Sequence, residues 1–534
     1  MAIHDETTDP TSVRTTSQAT LARVWADVLG VDRVGLDDDF FVLGGDSIMA
    51  IRAIVEAETR GASVNLVDLF ERPTIRQLAP DVEKAPHVVE THRATDPVAQ
   101  DLVSPDDAAK LPPTVERAYP ATHLQQGLIF EAMVHDESLY HDVISRRITL
   151  PFDEGAMRGA LDALSERHEA LRTSINVTDY SVVLQLVGRS AAPPLRTTDA
   201  RGRDAREFLR ADVAHASEPF ELERAPLLRV AVTVLSEQSF QLTYGFHHAI
   251  MDGWSENVFI TELMSHYTAF RLGTRPAPAD PLPDMVRFVH REREAVESPA
   301  AREYWLARAA DVPDVAEATA RSADRHRLSA PVPPEIRERI TAFGAETRVP
   351  TKSILLAAHL AARHAQYGGA QPVTGLVSNG RLEEAGGDQM IGLFLNILPL
   401  TVPVVGDNVQ FVRQVLQAER DAFSYRRFPY AEMTRLSGRP LVDTTFNYVH
   451  FRMERQLRSS GWLQGGSLEI YDKISFPLVV DAVQDPDSNE LRLDFSADAA
   501  VWAPDQLRTI AELHGEMVER ICRRQPSEPI SDAR

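Results

Sequence analysis

The sequence predicts a small four-helix unit joined by a linker to a larger mixed α/β unit of two lobes. Apolar residues recur at helical spacing within 17–83, and prolines among charges fill 84–114 without a sustained apolar period. From about 115 onward, helical patterns alternate with short β-rich runs. The length of 534 residues fits several folding units, since one domain usually takes roughly 100 to 200 residues.

In the first unit, Leu21, Val24, Trp25 and Val28 share a helix face, and a polar, acidic loop runs from Gly35 to Asp39. Ile48, Ile51, Ile54 and Val55 mark a second amphipathic helix, and two short helices are expected at 65–71 and 74–83. This is near the smallest length that buries a usable core. Prolines 86, 97, 105, 112 and 113 mark the linker, and 1–16 and 528–534 read as tails. The first lobe, 115–285, carries a helix at 155–170, β-rich runs at 182–187, 227–235 and 240–246, and a helix at 255–270. The second lobe, 286–527, follows a proline-rich stretch at 276–283. It carries helices near 300–310, 334–347 and 351–366, β-rich runs at 373–378, 392–402, 443–451, 475–482 and 491–496, and a closing helix at 504–523.

With 43% hydrophobic and 25% charged residues, the composition is that of an ordinary globular protein. The formal charge of -22 argues against nucleic-acid binding, which needs clustered Lys and Arg to displace counterions from phosphates. The single cysteine, Cys522, excludes an internal disulfide and a cysteine metal cluster, so any thiol chemistry needs a borrowed thiol. Met1 to Pro10 lacks the basic start and apolar core of a secretory signal, and no stretch approaches the roughly 20 apolar residues of a membrane span. A cytoplasmic location is expected.

The segment from Phe40 to Ile48 ends a loop and opens a helix; Gly44 and Gly45 let the chain turn, and Asp46 or Ser47 can cap that helix. The string LGGDS, behind an acidic loop with two phenylalanines and between helices, resembles the peptidyl carrier proteins of non-ribosomal peptide synthetases over residues 17–83. The resemblance implies that Ser47 receives 4′-phosphopantetheine from a phosphopantetheinyl transferase, which would supply the borrowed thiol. A helix start with free backbone amides suits a phosphate ester.

Phe240, Leu242, Tyr244 and Phe246 alternate with Gln241, Thr243 and Gly245 and run into HHAIMDG at 247–253. Period two places His248 on the apolar face and His247 on the other. Adjacent histidines on opposite faces do not easily share one metal, and no suitably spaced cysteine or carboxylate accompanies them, so no metal site is expected. HHxxxDG resembles the active-site motif of condensation domains, relatives of chloramphenicol acetyltransferase. Further segments match in order: AYPATHLQQGLIF from Ala118, RHEALRT from Arg167, Tyr304-Trp305, GLFLN from Gly392, and RPLVDTTF from Arg439. The resemblance spans about 116–525 and implies two acetyltransferase-like lobes in a V, with a tunnel whose two mouths admit donor and acceptor carrier arms.

The resemblance implies a catalytic set of His248, His247, Asp252 and Gly253, with Arg381 and Asn396 in support. His248 takes a proton or holds the attacking amine, and the backbone amide near Gly253 donates to the oxyanion. Asp252, four residues from His248 in a tight turn, is read as structural and paired with Arg381 of the second lobe, because a buried carboxylate needs such a partner. Arg167, His168 and Glu169 read as helix-end structure. The implied partners are a downstream aminoacyl carrier and the adenylation domains of the same assembly line, and the donor is read as D-configured from LQQGLIF. Two other readings share the fold: an epimerisation domain, which GGDS around Ser47 mildly favours, and a non-catalytic recruitment platform, which the presence of His248 disfavours.

Overall fold

Apolar periodicity turns into four packed helices at the start of the chain. The structure, a computed structural model, describes residues 16–82, 102–135, 139–276, 279–315, 324–449, 462, 469–471, 476–485 and 488–523. The helices are α1 (Thr16–Leu29), α2 (Ser47–Thr59), α3 (Leu66–Glu71) and α4 (Ile75–Val82). Leu21, Val24 and Trp25 of α1 are buried with Ile48, Ile51 and Ile54 of α2. The loop before α2 joins this core through Phe40, edge-on to Trp25 with ring centroids 5.0 Å apart.

The strands, in chain order, are β1 (Val115–Pro120), β2 (His141–Ile148), β3 (Thr173–Asn176), β4 (Leu184–Gly188), β5 (Leu195–Asp199), β6 (Leu228–Ser236) and β7 (Ser239–His247), followed by β8 (Arg325–Pro331), β9 (Val373–Asn379), β10 (Leu395–Thr401), β11 (Thr444–Val449), β12 (Glu469–Tyr471), β13 (Leu478–Gln484) and β14 (Leu491–Asp498). They form a five-stranded sheet, β12-β2-β7-β6-β5, a six-stranded sheet, β10-β9-β11-β13-β14-β8, and a small sheet, β1-β4-β3. Strand β12 lies far along the stretch read as the second lobe, yet it pairs antiparallel with β2 at the edge of the first lobe's sheet.

Every residue of β7 is buried. Tyr244 meets Phe259 of the helix Gly253–Arg271 at 5.3 Å between ring centroids, and the helix Arg206–Ala216 lies against the strand. A Cβ at Gly245 would fall 2.1 Å from the Ala216 carbonyl oxygen, so only glycine lets that helix approach.

Residues 1–15 and 528–534 of the expected tails and 84–101 of the expected linker lie outside the described residues, while Thr16 opens α1. From 102 onward the linker expectation is replaced by packed structure. Leu102 and Val103 are buried, and Asp107 accepts hydrogen bonds from Ser181 N and Ser104 Oγ and pairs with Lys110. Pro105 there begins a short helix, and Pro112 and Pro113 lead into strand β1. Among the described residues, no helix is long and apolar enough to cross a membrane.

In the second lobe, Thr374, His359 and His514 form a buried chain. His514 Nδ1 donates to the Ile510 carbonyl at 2.7 Å, leaving its Nε2 to accept from His359 Nδ1 at 2.9 Å, while His359 Nε2 accepts from Thr374 Oγ1 at 2.9 Å. Burial keeps both rings neutral: His359 is held well below the ordinary imidazole range, and His514 is pushed down to about 4. The unfolded chain takes up protons below about pH 6.5 that these rings refuse, so folding stability falls as pH drops from there toward 4. At pH 5 the loss from His514 alone is about 2 kcal/mol. Urea denaturation at pH 7 and pH 5 checks this, and His514→Asn should reduce the difference, leaving the part that His359 contributes.

Candidate active site

Burial, not strand alternation, decides where the two histidines of HHAIMDG point. Strand β7 ends at His247, and His248 opens a 3₁₀ turn, so period two stops one residue short of it. His247 is the inward residue, 1% exposed, and its Nδ1 accepts from Ala249 N at 3.1 Å. Desolvation, with His141 edge-on at 5.0 Å and His248 beside it, pushes its pKa down to about 3. The expectation that His248 faces the apolar core is therefore corrected: its side chain is 21% exposed at the turn.

The His248 ring is fixed from one side. Its backbone N donates to Tyr140 O at 2.7 Å. Nδ1 donates to the Met251 carbonyl at 2.8 Å, which can only accept, so the neutral ring carries its proton on Nδ1 and its lone pair on Nε2. Among the described residues, Nε2 has no hydrogen-bond partner. The Asp142 carboxylate on β2 stands 3.3 Å from Nδ1. Nothing in the sequence pattern singled out Asp142; the only signal is that it is an acid at the start of a strand that pairs with β7, opposite Phe246.

Asp252 and Arg381 are both completely buried, and Arg381 Nη2 donates to Asp252 Oδ1 at 3.0 Å. The pair is embedded in further bonds. Asp252 accepts from Ser255 N and Phe394 N, at 2.7 and 3.1 Å; Arg381 donates to Ser255 Oγ at 2.6 Å and Met390 O at 2.6 Å and lies over the Phe394 ring. Burial pulls the guanidinium below its ordinary range while the Asp252 charge opposes that shift. This lock ties the start of the helix Gly253–Arg271 to residues 381–394 of the second lobe, so Asp252 is out of reach of a substrate. Asn396 donates to the carbonyls of Arg426 and Phe428, at 2.8 and 2.7 Å, and accepts from Tyr430 N at 3.0 Å, bracing the loop 426–430. Arg167 and Glu169 pair with Glu262 and Arg117, and His168 Nε2 hydrogen-bonds Glu262 Oε2 at 2.8 Å.

Two cavities approach the segment that carries His248. One of ≈ 240 Å³ is lined by Ala249, Ile250, Gln125, Tyr119, Glu169 and Gly392. The other, of ≈ 180 Å³, is lined by Gly253, Trp254, Asn379 and Leu395 and also by Asp46 and Ser47 of the four-helix unit. That unit is seated on the lobes: the Phe70 ring stacks on Phe423 with centroids 3.8 Å apart, and Arg52 Nε meets Asp388 Oδ2 at 2.5 Å. Asp46 is the cap of α2, accepting from Ile48 N and Met49 N, at 2.9 and 2.8 Å, so Ser47 is left as the first helical residue, partly exposed, with no capping duty. Gly45 is required beside it, since a Cβ there would lie 2.3 Å from the Phe40 ring, and Gly44 takes φ +95°. A phosphate ester on Ser47 fits this setting, with α2's first-turn amides behind it and an open cavity ahead. Cys522 offers no alternative thiol, because burial pushes it up to about 12.

Residues 115–534 match the family model described as the condensation domain, and residues 19–80 match that of the phosphopantetheine attachment site. The AMB antimetabolite synthetase AmbE of Pseudomonas aeruginosa is 32% identical over 87% of this chain and 23% of its own length. Malpibaldin synthetase of Mortierella alpina is 28% identical over 88% of this chain and 9% of its own. This chain thus spans less than a quarter of the length of these curated relatives. The first condensation domain of the calcium-dependent antibiotic synthetase, in complex with a substrate analogue, superposes with a TM-score of 0.64 at 20% identity, covering 78% of this chain and 99% of that one.

Proposed function

The chain belongs to the condensation-domain family and carries a phosphopantetheine attachment site ahead of that domain, and from this premise we propose that it forms amide bonds in non-ribosomal peptide synthesis, with its own carrier as donor. The observation that carries this reading is the placement of Ser47 in the cavity that reaches Gly253, beside a turn whose His248 offers an open Nε2. When bound at Ser47, phosphopantetheine supplies the thiol that holds the donor acyl group, so that amide formation is attack of an acceptor's amine on a thioester carbonyl.

A peptide α-amino group has a pKa near 7.7 to 8.0, so roughly a tenth to a fifth is neutral at pH 7, and no strong base is needed before attack. After attack the nitrogen turns acidic, and His248 Nε2 is placed to accept its proton or to hold the amine in line. The Gly253 amide, in the first turn of its helix, donates to the oxygen on which charge gathers. Holding both reactants together contributes as much as either group, since effective molarity is worth roughly 7 to 11 kcal/mol. Asp252 and Arg381 keep this geometry without touching the reactants, and His247 backs the turn as a neutral acceptor. The donor is read as D-configured from the likeness of Leu124–Phe130 to domains that take such donors. The acceptor is a downstream aminoacyl carrier, the cargo comes from adenylation domains, and a phosphopantetheinyl transferase loads Ser47.

Incubating the loaded chain with a loaded acceptor carrier and analysing the thioester products tests the reading. A new amide bond is expected; loss of stereochemical purity without a new bond would replace it by epimerisation, and an unchanged donor would leave a recruitment platform. Ser47→Ala is expected to abolish loading, seen as loss of the phosphopantetheine mass increment in the intact protein; undiminished loading would move the attachment point elsewhere.

A further inference from the structure

We propose that Asp142 is a positioning residue for His248, holding the ring in place and stabilising the charge that the ring gains when it accepts the acceptor's proton. The inference deepens the function proposed above and rests on it for its kinetic consequence only. Its structural ground is independent: the Asp142 carboxylate is 3.3 Å from His248 Nδ1, with the two side chains 17% and 21% exposed. The start of β2 holds His248 twice, through Tyr140 O on the backbone and Asp142 on the ring.

The Met251 carbonyl already sets the tautomer, so Asp142 is not needed for that. A carbonyl, however, carries only a partial charge, and an imidazolium at this turn needs a full one nearby. His247 beside it is held neutral by burial, with His141 edge-on to that ring, so neither supplies a negative charge. In the reaction the proton leaves the acceptor nitrogen as the carbon–nitrogen bond forms, rests on Nε2, and departs with the sulfur when the carbon–sulfur bond breaks. Asp142 favours the middle state.

Replacing the carboxylate by an amide of the same shape makes the ring less basic. The acid limb of the rate profile, where the ring is protonated before it can act, then moves to lower pH, and the plateau rate falls about tenfold. The KM for the acceptor stays within about twofold, because Asp142 acts through the ring and not on the acceptor.

Two measurements on the full chain test this. In the unloaded protein, labelled with ¹³C at histidine Cε1 and with the His248 signal identified by its loss in His248→Gln, the titration midpoint of His248 is expected to fall in Asp142→Asn and in Asp142→Ala and to be largely retained in Asp142→Glu. An unmoved midpoint in Asp142→Asn overturns the proposal. In the loaded protein, the pH profile of amide formation is expected to show the shifted acid limb; a lower plateau with an unmoved limb reduces Asp142 to a purely structural part and also overturns it. If the ring titration shifts but the wild type makes no amide, the contact stands and the functional reading fails, so the two failures are distinguishable.

Discussion

Arg381→Ala is expected to destabilise the protein by about 3–5 kcal/mol, because it removes the countercharge from the completely buried Asp252 carboxyl. The magnitude follows from complete burial of both partners and from the bonds that converge on them from Ser255, Phe394 and Met390. Thermal unfolding or urea denaturation measures the loss. Asp252→Leu combined with Arg381→Met, which removes both charges, should recover most of that stability while still impairing amide formation, because the turn would lose its tie to residues 381–394. Equal destabilisation by the single and double changes would show that the charges are not coupled.

His248→Ala is expected to lower amide formation by about 10²- to 10⁴-fold without unfolding the chain. The ring is partly exposed and is held mainly by its hydrogen bond to Met251 O, so its loss removes little packing. The rate of product formation from doubly loaded carriers reads the effect, and a cooperative melt near that of the wild type separates it from misfolding. Wild-type turnover in the variant would take His248 out of the reaction.

The outline of the fold was legible where periodicity is strong. The helices expected at 334–347 and 351–366 appear as Pro334–Thr347 and Thr351–Gln366, and the alternating run at 240–246 became β7. Strand β2 was missed because it buries polar groups among its apolar ones, on both faces: Ser145 is buried against Thr243, and Arg146 is buried against Glu256 at 2.9 Å. An alternation of apolar and polar residues cannot register a strand that buries an ion pair between Ile144 and Ile148. The pairing of β12 with β2 was equally invisible, since it joins residues more than 300 positions apart.

The site was legible in its residue types but not in its orientation. Asp252 and Arg381 were matched across 129 positions, and the structure brings them together because a buried aspartate that caps a helix needs a cation. His247 and His248 changed places because a turn, not a strand, carries the second of them. Asp142 and the seat formed by Phe70 on Phe423 leave no local pattern, since each depends on a surface assembled from distant segments.

Ser47 lines a cavity whose far wall is Gly253, while Phe70 lies against Phe423 and Arg52 against Asp388. Under the function proposed, a hydroxyl berthed there must also reach the enzymes that charge and replenish it. The berth has to be vacated and retaken in each round, and this limits how firmly it can grip. A preference for the berthed state beyond about 4 kcal/mol would leave fewer than about one molecule in a thousand open to its suppliers, so a tighter grip would starve the reaction it serves.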